Sequence, residues 1–302
     1  MKKILITGIN GFIGNSLRLS LIKFENKFEI WGIDKTCDFK NSFSVNLLNI
    51  NDCIRISEKL PQFDIVIHTA AIAHHKIDVL ETYNKNLHIT KNVLKYFTDY
   101  KTHLIFLSSI SVYGEDKRYF PVRVNDELRP STYYGKSKKD CEEMILNTIT
   151  NVDILRLCPV YSQEKLDDIK KRVFFPYQSY FRMEIFPSPN YSLCNHELIN
   201  KSILHILSRG VKNKNIYNIL DPINYKQKDI SECYSNTKII IFEKLIKPLY
   251  YFTFLINSKK GYHIRCLYWK LFKSNEYVSN FNEIKLDKSQ LLINTINKKK
   301  FI

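Results

Sequence analysis

The chain has 302 residues, of which 44% are hydrophobic, and this is enough for one large domain or two smaller ones with an apolar core. No stretch of eighteen uninterrupted apolar residues occurs, so we expect no membrane-spanning helix. The seven cysteines are odd in number and never form a Cys-x-x-Cys pair, which argues against a disulfide framework and against zinc. We therefore expect reduced thiols in a cytoplasmic protein and no metal site.

The formal net charge of +16 comes mostly from lysines that are spread along the chain. Such a charge is compatible with binding to nucleic acid or to an anionic membrane surface. A solvated basic surface in a chain rich in lysine, asparagine and isoleucine is the simpler explanation. We therefore expect no nucleic-acid partner, and we note that a positive cleft also suits a small substrate that carries phosphates.

The first half of the chain alternates between patterns typical of strands and of helices. Apolar runs predict strands at residues 3–7, 28–34, 43–47, 63–69 and 103–108. Helical spacing predicts helices at residues 12–24, 51–60, 79–100 and 134–146. This rhythm predicts an α/β fold with a Rossmann-type doubly wound parallel sheet. Ligands of such sheets bind at the carboxyl ends of the strands, where Gly8, Asp34, Ala70 and Ser109 occur.

After a strand predicted at residues 152–157, prolines and many aromatic and basic residues interrupt the alternation. We expect a smaller C-terminal lobe here, with a helix at residues 198–207 and a short strand at residues 216–220. From residue 239 onward the chain is apolar, aromatic and basic, and we predict a helical part of the second lobe. An amphipathic element that associates weakly with a membrane surface is the alternative.

Three of the eight glycines lie in the sequence Gly-Ile-Asn-Gly-Phe-Ile-Gly at residues 8–14, directly after the first predicted strand. Gly8 suits a tight turn, Gly11 lets the backbone approach a pyrophosphate, and Gly14 lets helix and strand pack closely. The N-terminus of the helix then offers N–H groups to the phosphates. At the first strand–helix junction of an alternating chain, this pattern predicts a dinucleotide site rather than a turn without a ligand.

Asp34 ends the second predicted strand, about twenty residues after the last of these glycines. A carboxylate at this place can accept both ribose hydroxyls of an adenosine and would repel a 2′-phosphate, which favours NAD over NADP. Lys35 could offset that repulsion. An aspartate that only forms a turn is the alternative interpretation.

Tyr134 and Lys138 are four residues apart in a predicted helix and therefore share one face of it. An ammonium group there can lower the pKa of the phenol from its usual value of about 10. A tyrosine adjusted in this way can exchange a proton with a hydroxyl or a carbonyl group. The Ser109 hydroxyl, at the end of the preceding strand, could hold the same oxygen. The Tyr–Lys spacing recurs elsewhere in the chain, so the helical context is what selects Tyr134.

With these residues, the chain resembles the extended short-chain dehydrogenase/reductase family over about residues 2–220, and in particular its NAD-dependent nucleotide-sugar epimerases and reductases of UDP-glucose 4-epimerase type. The resemblance rests on Thr-Gly-Ile-Asn-Gly-Phe-Ile-Gly at residues 7–14, Asp-Ile-Val-Ile-His-Thr-Ala-Ala at 64–71, Asn86 with Thr90, Ser-Ser-Ile-Ser-Val-Tyr-Gly at 108–114, Tyr-Gly-Lys-Ser-Lys at 134–138 and Arg-Leu-Cys-Pro-Val-Tyr at 156–161. It implies a catalytic trio of Ser109, Tyr134 and Lys138, with NAD as the cofactor and a nucleotide sugar as the substrate.

The pattern and the resemblance together predict the residues of the site. The cofactor-binding residues are Gly8, Gly11, Phe12, Ile13, Gly14, Asp34, Asn46, Leu47, Thr69, Ala70, Ala71, Asn86, Ser108, Tyr134 and Lys138. The substrate-binding residues are Ser109, Ser111, Pro159, Arg172, Arg182 and Phe186. The resemblance also implies an NAD-binding Rossmann domain at residues 1–163 and a substrate-binding lobe at 164–302, with about residues 198–220 returning to the Rossmann domain.

Three departures from the family pattern concern the adenine and the substrate. Asn46 stands where relatives usually carry an aspartate that meets the adenine, and Pro159 and Ser162 replace an asparagine and a glycine. Residues 188–195 lack the arginine that often clamps the substrate diphosphate. The basic residues that could replace it are Lys170, Lys171, Arg172 and Arg182. These departures leave the sugar and the nucleotide open.

The resemblance implies a nucleotide-sugar 4-epimerase that acts through a transient 4-keto sugar in surface-polysaccharide synthesis, and the alternative within the family is a 4-keto reductase. Dehydratases of this kind carry Asp-Glu directly after the serine, where this chain has Ile110 and Ser111. Alternatives of another class are an RNA-binding protein and an NAD-holding redox sensor. We interpret His74 and His75 as solvated loop residues, and we expect a homodimer built through the helices at residues 79–100 and 134–147, as in relatives.

Overall fold

The computed structural model of the chain describes residues 1–73, 80–114, 121–175, 178–210, 213–255, 259–284 and 286–298. His74 and His75 lie outside the described residues. The chain divides into two compact units. The first unit consists of Met1–Gly114, Glu127–Arg156 and Asn200–Tyr217, and the second of Glu115–Asp126, Leu157–Ile199 and Asn218–Ile302.

The described chain contains strands and helices with the following bounds. The strands are β1 (Lys2–Thr7), β2 (Phe28–Asp34), β3 (Ser42–Ser44), β4 (Ile65–His68), β5 (His103–Ser109), β6 (Asn151–Leu157), β7 (Val160–Tyr161), β8 (Phe174–Phe175), β9 (Gln178–Phe186), β10 (Asn190–Tyr191), β11 (Cys194–Asn195), β12 (Lys214–Ile219), β13 (Tyr225–Lys226) and β14 (Thr237–Phe242). The α-helices are α1 (Phe12–Leu21), α2 (Ile50–Ser57), α3 (Leu80–Tyr96), α4 (Tyr133–Thr148), α5 (Asp167–Lys170), α6 (His196–Arg209), α7 (Gln227–Glu232), α8 (Glu243–Phe252), α9 (Lys259–Phe272) and α10 (Leu292–Lys298). Short 3₁₀ helices occur at Ile22–Phe24, Ile110–Tyr113 and Lys288–Gln290.

Seven strands form one sheet in the order β12-β6-β5-β4-β1-β2-β3. The neighbours β1 and β2, β1 and β4, β2 and β3, and β4 and β5 pair in parallel. Strands β4 and β5 are buried almost throughout, as expected for a parallel sheet that is covered on both faces. The predicted Rossmann-type parallel sheet is therefore confirmed.

The core of the first unit forms where the apolar runs of the central strands meet the buried faces of α2, α3 and α4. Its members include Leu5, Val66, Phe106, Val93 and Ile145. The helix that carries the predicted Tyr–Lys pair begins one residue before its predicted start, because the Thr132 side chain accepts a hydrogen bond from the Gly135 N–H at 3.0 Å and caps it.

The second unit contains smaller sheets. One has three strands in the order β14-β9-β8, and two others pair β10 with β13 and β11 with β7. Its core includes Tyr161, Tyr191, Leu193, Tyr225 and Ile230. No helix in the described part of the chain is both long enough and apolar enough to cross a membrane.

The helix predicted from residue 239 onward is wrong for its first residues. Residues Thr237–Phe242 form strand β14, which pairs in parallel with β9, and helix α8 begins only at Glu243. The physical reason is that three consecutive isoleucines followed by phenylalanine favour an extended chain when a partner strand is present. The sequence pattern alone did not reveal that partner.

Candidate active site

The glycine loop brings β1, α1 and the loop after β4 into close contact. Gly8 has a φ of +73°, and a Cβ atom there would lie 2.8 Å from the backbone of Ala70. A Cβ atom on Gly14 would lie 2.2 Å from the Gly8 carbonyl oxygen. Any side chain at these two positions would therefore push apart backbone segments that must touch.

The N-terminus of α1 is open on the side of the loop. Gly11 is the residue that precedes the helix, and no side chain caps it. A Cβ atom on Gly11 would meet only the Gly8 carbonyl oxygen within 4 Å, at 3.0 Å. Phe12 and Ile13 follow in the first turn and are partly exposed. This arrangement leaves room for a phosphate group to approach the backbone N–H groups of the helix.

Asp34 lies at the end of β2 beside the same loop. One carboxylate oxygen accepts a hydrogen bond from the Asn10 backbone N–H at 2.9 Å, and the other accepts one from the Lys35 N–H at 2.8 Å. The carboxylate is thus held in place by backbone donors and remains partly exposed. It can still accept hydrogen bonds from the hydroxyls of a ribose.

Asn46 and Leu47 follow β3 and differ in exposure. Asn46 is exposed and its side-chain oxygen accepts a hydrogen bond from the Leu48 N–H at 3.1 Å, whereas the Leu47 side chain is buried. The Asn46 N–H donates to the carboxylate of Asp52 at 3.3 Å. A carboxylate therefore lies beside Asn46 although residue 46 itself is an amide. No sequence motif indicated Asp52, because it belongs to the following helix.

The loop after β4 is tied to the glycine loop and to the neighbouring helices. The Thr69 hydroxyl donates to the Thr7 carbonyl at 2.8 Å, and the backbone of the next residue, Ala70, packs directly against Gly8. The buried Asn86 side chain bonds both the N–H and the C=O of Ile72, and it also donates to Ser137 in α4 at 3.1 Å. Asn86 therefore fixes the position of the loop after β4, and all three of these side-chain hydrogen bonds are to other residues of the first unit.

The structure brings Ser109, Ser111 and Tyr134 together at the carboxyl end of β5. The Ser109 hydroxyl hydrogen bonds to the Tyr134 side chain. It also lies 3.2 Å from the Ser111 hydroxyl and accepts a hydrogen bond from the Ser111 N–H at 3.2 Å. One turn further along α4, the Lys138 ammonium group donates to the Leu107 carbonyl at 2.7 Å.

Burial is the main cause of the pKa shifts of Tyr134 and Lys138. It raises the pKa of Tyr134 to about 12, and the hydrogen bond from Ser109 opposes that rise. Burial also lowers the pKa of Lys138 to about 8. The expectation that Lys138 lowers the pKa of Tyr134 is therefore wrong for the protein alone, because desolvation of the phenolate dominates and the amine is bonded to the β5 backbone.

A buried histidine, His68, lies at the end of β4. The His68 ring is hydrogen bonded to the Thr7 hydroxyl at 2.7 Å and to the Thr90 hydroxyl at 3.2 Å. Burial, with a contribution from the charge of Lys138, lowers the pKa of His68 to about 3. His68 is therefore neutral throughout the physiological range.

This burial makes the stability of the protein depend on pH. The pKa of His68 is lower in the folded chain than the value of about 6.5 expected after unfolding, so stability is lost as the pH falls below about 6.5. At pH 5 we expect a loss of about 2 kcal/mol from this residue. The difference in unfolding free energy between pH 7 and pH 5, measured by urea titration, should shrink by that amount in His68→Gln. His88→Gln, at an exposed position of α3, should leave it unchanged, and an unaltered difference in His68→Gln would contradict the assignment.

Ser108 points away from Ser109 into a buried polar network. Its hydroxyl donates to the carboxylate of Glu142, which forms an ion pair with Arg156 at 2.7 Å. Arg156 also donates to the Tyr113 hydroxyl at 2.8 Å. The network fixes the end of β5 and the following turn, which together carry Ser109. No sequence motif indicated Glu142, since only the folded helix places it beside Ser108.

The two arginines predicted to bind substrate make contacts within the second unit. Arg172 donates to the Lys270 carbonyl at 2.9 Å, and its guanidinium lies 4.6 Å from the centre of the Tyr191 ring. Arg182 donates to the Ser231 hydroxyl at 2.9 Å. Both side chains are thus held in defined orientations by the unit that contains them.

The other predicted substrate residues of this unit are Pro159 and Phe186, and the other candidates for the diphosphate are Lys170 and Lys171. The Pro159 carbonyl accepts a hydrogen bond from the Cys194 N–H at 3.0 Å, and the Phe186 side chain is exposed, with its ring 5.8 Å from that of Phe242. Lys170 and Lys171 are exposed. Among the described residues, no group of three or more His, Cys, Asp or Glu side chains could hold a metal ion.

A parallel sheet with a glycine loop after its first strand, and a serine, a tyrosine and a lysine at the end of its fifth strand and in the adjoining helix, defines a Rossmann-type protein of the short-chain dehydrogenase/reductase class. The profile of the NAD dependent epimerase/dehydratase family matches residues 4–177, which is more than half of the chain, and the chain belongs to this family.

Known proteins similar to this chain carry related names. A putative UDP-glucose 4-epimerase from Methanocaldococcus jannaschii is 32% identical over 177 residues, which are 54% of this chain and 57% of that protein, so the chain spans little more than half of its length. The UDP-Glc/GlcNAc 4-epimerase of Campylobacter jejuni has a TM-score of 0.71 and 16% identity, with 100% of this chain and 99% of that chain covered. A short-chain dehydrogenase/reductase superfamily protein from Agrobacterium tumefaciens with bound NAD has a TM-score of 0.72 and 13% identity, with 98% and 95% covered. The similarity to these two solved structures shows that this chain has the same fold as they do.

Proposed function

We propose that the protein is an NAD-dependent nucleotide-sugar 4-epimerase, of the UDP-hexose or UDP-N-acetylhexosamine type, that acts through a transient 4-keto sugar. The observation that carries the proposal is the hydrogen bond between Ser109 and Tyr134 at the carboxyl end of the sheet, with Lys138 buried in the same helix. Family membership supports the cofactor, and the names of the Methanocaldococcus and Campylobacter proteins support the substrate class.

The residues of the first unit fit a dinucleotide. The open N-terminus of α1 at Gly11 would hold the pyrophosphate, and the Asp34 carboxylate would accept the ribose hydroxyls of the adenosine. The small side chains of Ala70 and Ala71 would form a wall of the cleft, and Lys138 would donate to the second ribose. NAD supplies a hydride acceptor and, in its oxidised form, a positive charge.

Tyr134 is the residue that would transfer the proton. The phenol has a pKa of about 12 in the protein alone, so it holds its proton at neutral pH. A positive charge close to the phenol would lower this pKa and so favour release of the proton. As the phenolate, Tyr134 takes the proton of the sugar hydroxyl, and Ser109 donates a hydrogen bond to the sugar oxygen. The cofactor held by the glycine loop and Asp34 would supply the hydride chemistry, accepting the hydride of C4 and making it available again for the opposite face. Tyr134 would then return the proton to the oxygen of the 4-keto sugar, and the configuration would be inverted.

A screen of sugar nucleotides with purified protein tests the proposal. The absorbance of NADH and the stereochemistry of the product are measured together. Inversion without net consumption of NADH is expected, with Tyr134→Phe as the inactive control. Net consumption of NADH would instead establish the 4-keto reductase, which the same trio can serve. Stable NADH occupancy without turnover of any sugar nucleotide would favour a redox sensor, and RNA affinity that falls steeply with salt and ignores NAD would favour a nucleic-acid-binding protein.

The preference for NAD gives a separate prediction at Asp34. In Asp34→Ala the charged hydrogen bonds to the ribose are lost, and we expect NAD binding to weaken by about 10- to 150-fold. Binding of NADP, which the carboxylate repels, should not weaken. Calorimetric titration with both dinucleotides measures this. Asp38→Ala, at an exposed position nearby, is the matched control, and equal NAD affinities in the two variants would argue against the ribose contact.

We also propose the wider setting of this activity. Residues 1–163 would form the NAD-binding domain and residues 164–302 the substrate lobe, with about residues 198–220 returning to the NAD-binding domain. Arg172 or Arg182 would contact the diphosphate. None of the seven cysteines, all of which lie in the described ranges, takes part in a disulfide, which supports a reducing cytoplasm. We further propose that the enzyme serves surface-polysaccharide synthesis. The protein would form a homodimer through α3 and α4, and light scattering measures this oligomeric state.

A further inference from the structure

Helix α8 presents apolar side chains to solvent. Its inner face carries the buried Tyr250, followed by the buried Thr253 just after the helix. Its outer face carries Leu245, Leu249 and Phe252, which are 75%, 56% and 55% exposed and follow one another at helical spacing on a single side. The outer face of a helix in a globular protein is normally polar, so the polarity of this face is the reverse of the usual one.

The exposed apolar surface continues beyond this helix. Leu255, three residues after Phe252, is 80% exposed. At the other end, the exposed Phe242 directly precedes α8, and its ring lies 5.8 Å from that of the exposed Phe186 in β9. We call these residues the apolar face of the second unit, and its members are Phe186, Phe242, Leu245, Leu249, Phe252 and Leu255. Exposed apolar side chains along one side of a helix and at its two ends are typical of an interaction site.

Positive charge accompanies the apolar face. Residues 237–273 contain eight lysines and arginines and a single acidic residue, Glu243. The Glu243 carboxylate is engaged internally, since it accepts a hydrogen bond from the Tyr268 hydroxyl at 2.6 Å and pairs with Lys273. Lys244 and Lys247 are exposed and flank Leu245 in the sequence. Of these two lysines, Lys244 lies next to the apolar face, about 100° around the helix axis from Leu245, and Lys247 lies on the other side of the helix.

The positive charge beside the apolar face distinguishes between two possible partners, a second copy of the chain and a lipid surface. A second copy of the chain would bring a second Lys244 to a two-fold contact through this face, so like charges would approach one another. An anionic lipid surface offers phosphate groups to the lysines and hydrocarbon to the leucine and phenylalanine side chains at once. We propose that the second unit docks on an anionic lipid bilayer through this apolar face, with Lys244 at the level of the headgroups. The proposal does not depend on the catalytic function.

Sedimentation of the full-length protein with vesicles tests the docking. We expect binding to vesicles of equal parts phosphatidylcholine and phosphatidylglycerol, little binding to phosphatidylcholine alone, and weaker binding as salt is raised. Leu245→Asp with Leu249→Asp should reduce the bound fraction at least tenfold. Leu19→Asp, at an exposed leucine of α1 in the first unit, is the matched control and should bind as the wild type does. Lys244→Glu should remove most of the preference for the anionic lipid, and Lys247→Glu, on the opposite side of the helix, should reduce it less.

A conservative variant keeps the test independent of folding defects. Leu249→Trp preserves the apolar character of the face, and its fluorescence should be quenched by the same vesicles made with brominated acyl chains. Absence of binding to the anionic vesicles, equal binding to both lipid mixtures, or unquenched Leu249→Trp would each overturn the proposal. It would also be overturned if the double aspartate variant converted an oligomer into a monomer while vesicle binding persisted, since the face would then join copies of the chain.

Discussion

Replacing Tyr134 with phenylalanine should lower the turnover of the sugar nucleotide by at least about a hundredfold, the usual contribution of general acid–base catalysis. The hydroxyl that exchanges the substrate proton is lost, whereas the ring and its packing in α4 remain. NAD affinity should therefore be retained, because the glycine loop and Asp34 are untouched. Steady-state kinetics and calorimetric NAD binding on the same preparation measure the two effects separately.

Tyr133 provides a matched control for this experiment. It is the preceding residue, begins α4 and has an exposed side chain. Tyr133→Phe removes the same atom from the same helix turn and should keep normal turnover. Activity of Tyr134→Phe close to that of Tyr133→Phe would reject Tyr134 as the proton-transfer group.

Replacing Glu142 with leucine should lower the free energy of unfolding by about 3–5 kcal/mol. The buried Arg156 would lose its ion-pair partner at 2.7 Å, and the Ser108 hydroxyl would lose its acceptor. An uncompensated charge in the core is the main cost. Denaturant titration followed by circular dichroism measures the change.

The double variant distinguishes this cause from a simple packing defect. In Glu142→Leu with Arg156→Met both charges are gone, and most of the lost stability should return. Glu143→Leu, at the adjacent exposed position, should change stability by no more than about 0.5 kcal/mol. If the double variant were as unstable as Glu142→Leu, the unpaired arginine would not be the source of the instability.

The sheet of the first unit was predictable because its signals are local. Strand β2 has the predicted bounds, Phe28–Asp34, and β1 and β5 each differ from the prediction by one residue. Strands buried on both faces appear in the sequence as unbroken apolar runs, so no knowledge of their neighbours is needed. The glycine loop was equally visible, since the tight turn at Gly8 and the contact between Gly14 and Gly8 involve residues close in the chain.

Predictions failed where a distant segment decides the outcome. The isoleucines of β14 became a strand through pairing with β9, more than fifty residues earlier. The pKa of Tyr134 depends on how deeply the fold buries the phenol, and spacing to Lys138 says nothing about burial. His68 and Glu142 acquired their roles from partners on other elements.

By itself, the sequence determined the order of strands and helices, the dinucleotide-type loop and the candidates for proton transfer. These follow from periodicity and from residue types at short spacing, which act through local backbone geometry. Only the tertiary structure decided which candidate groups meet, in which protonation state they are held, and that the outer face of α8 is apolar. Burial and charge–charge distances arise from contacts between segments far apart in the chain, and they control solvation.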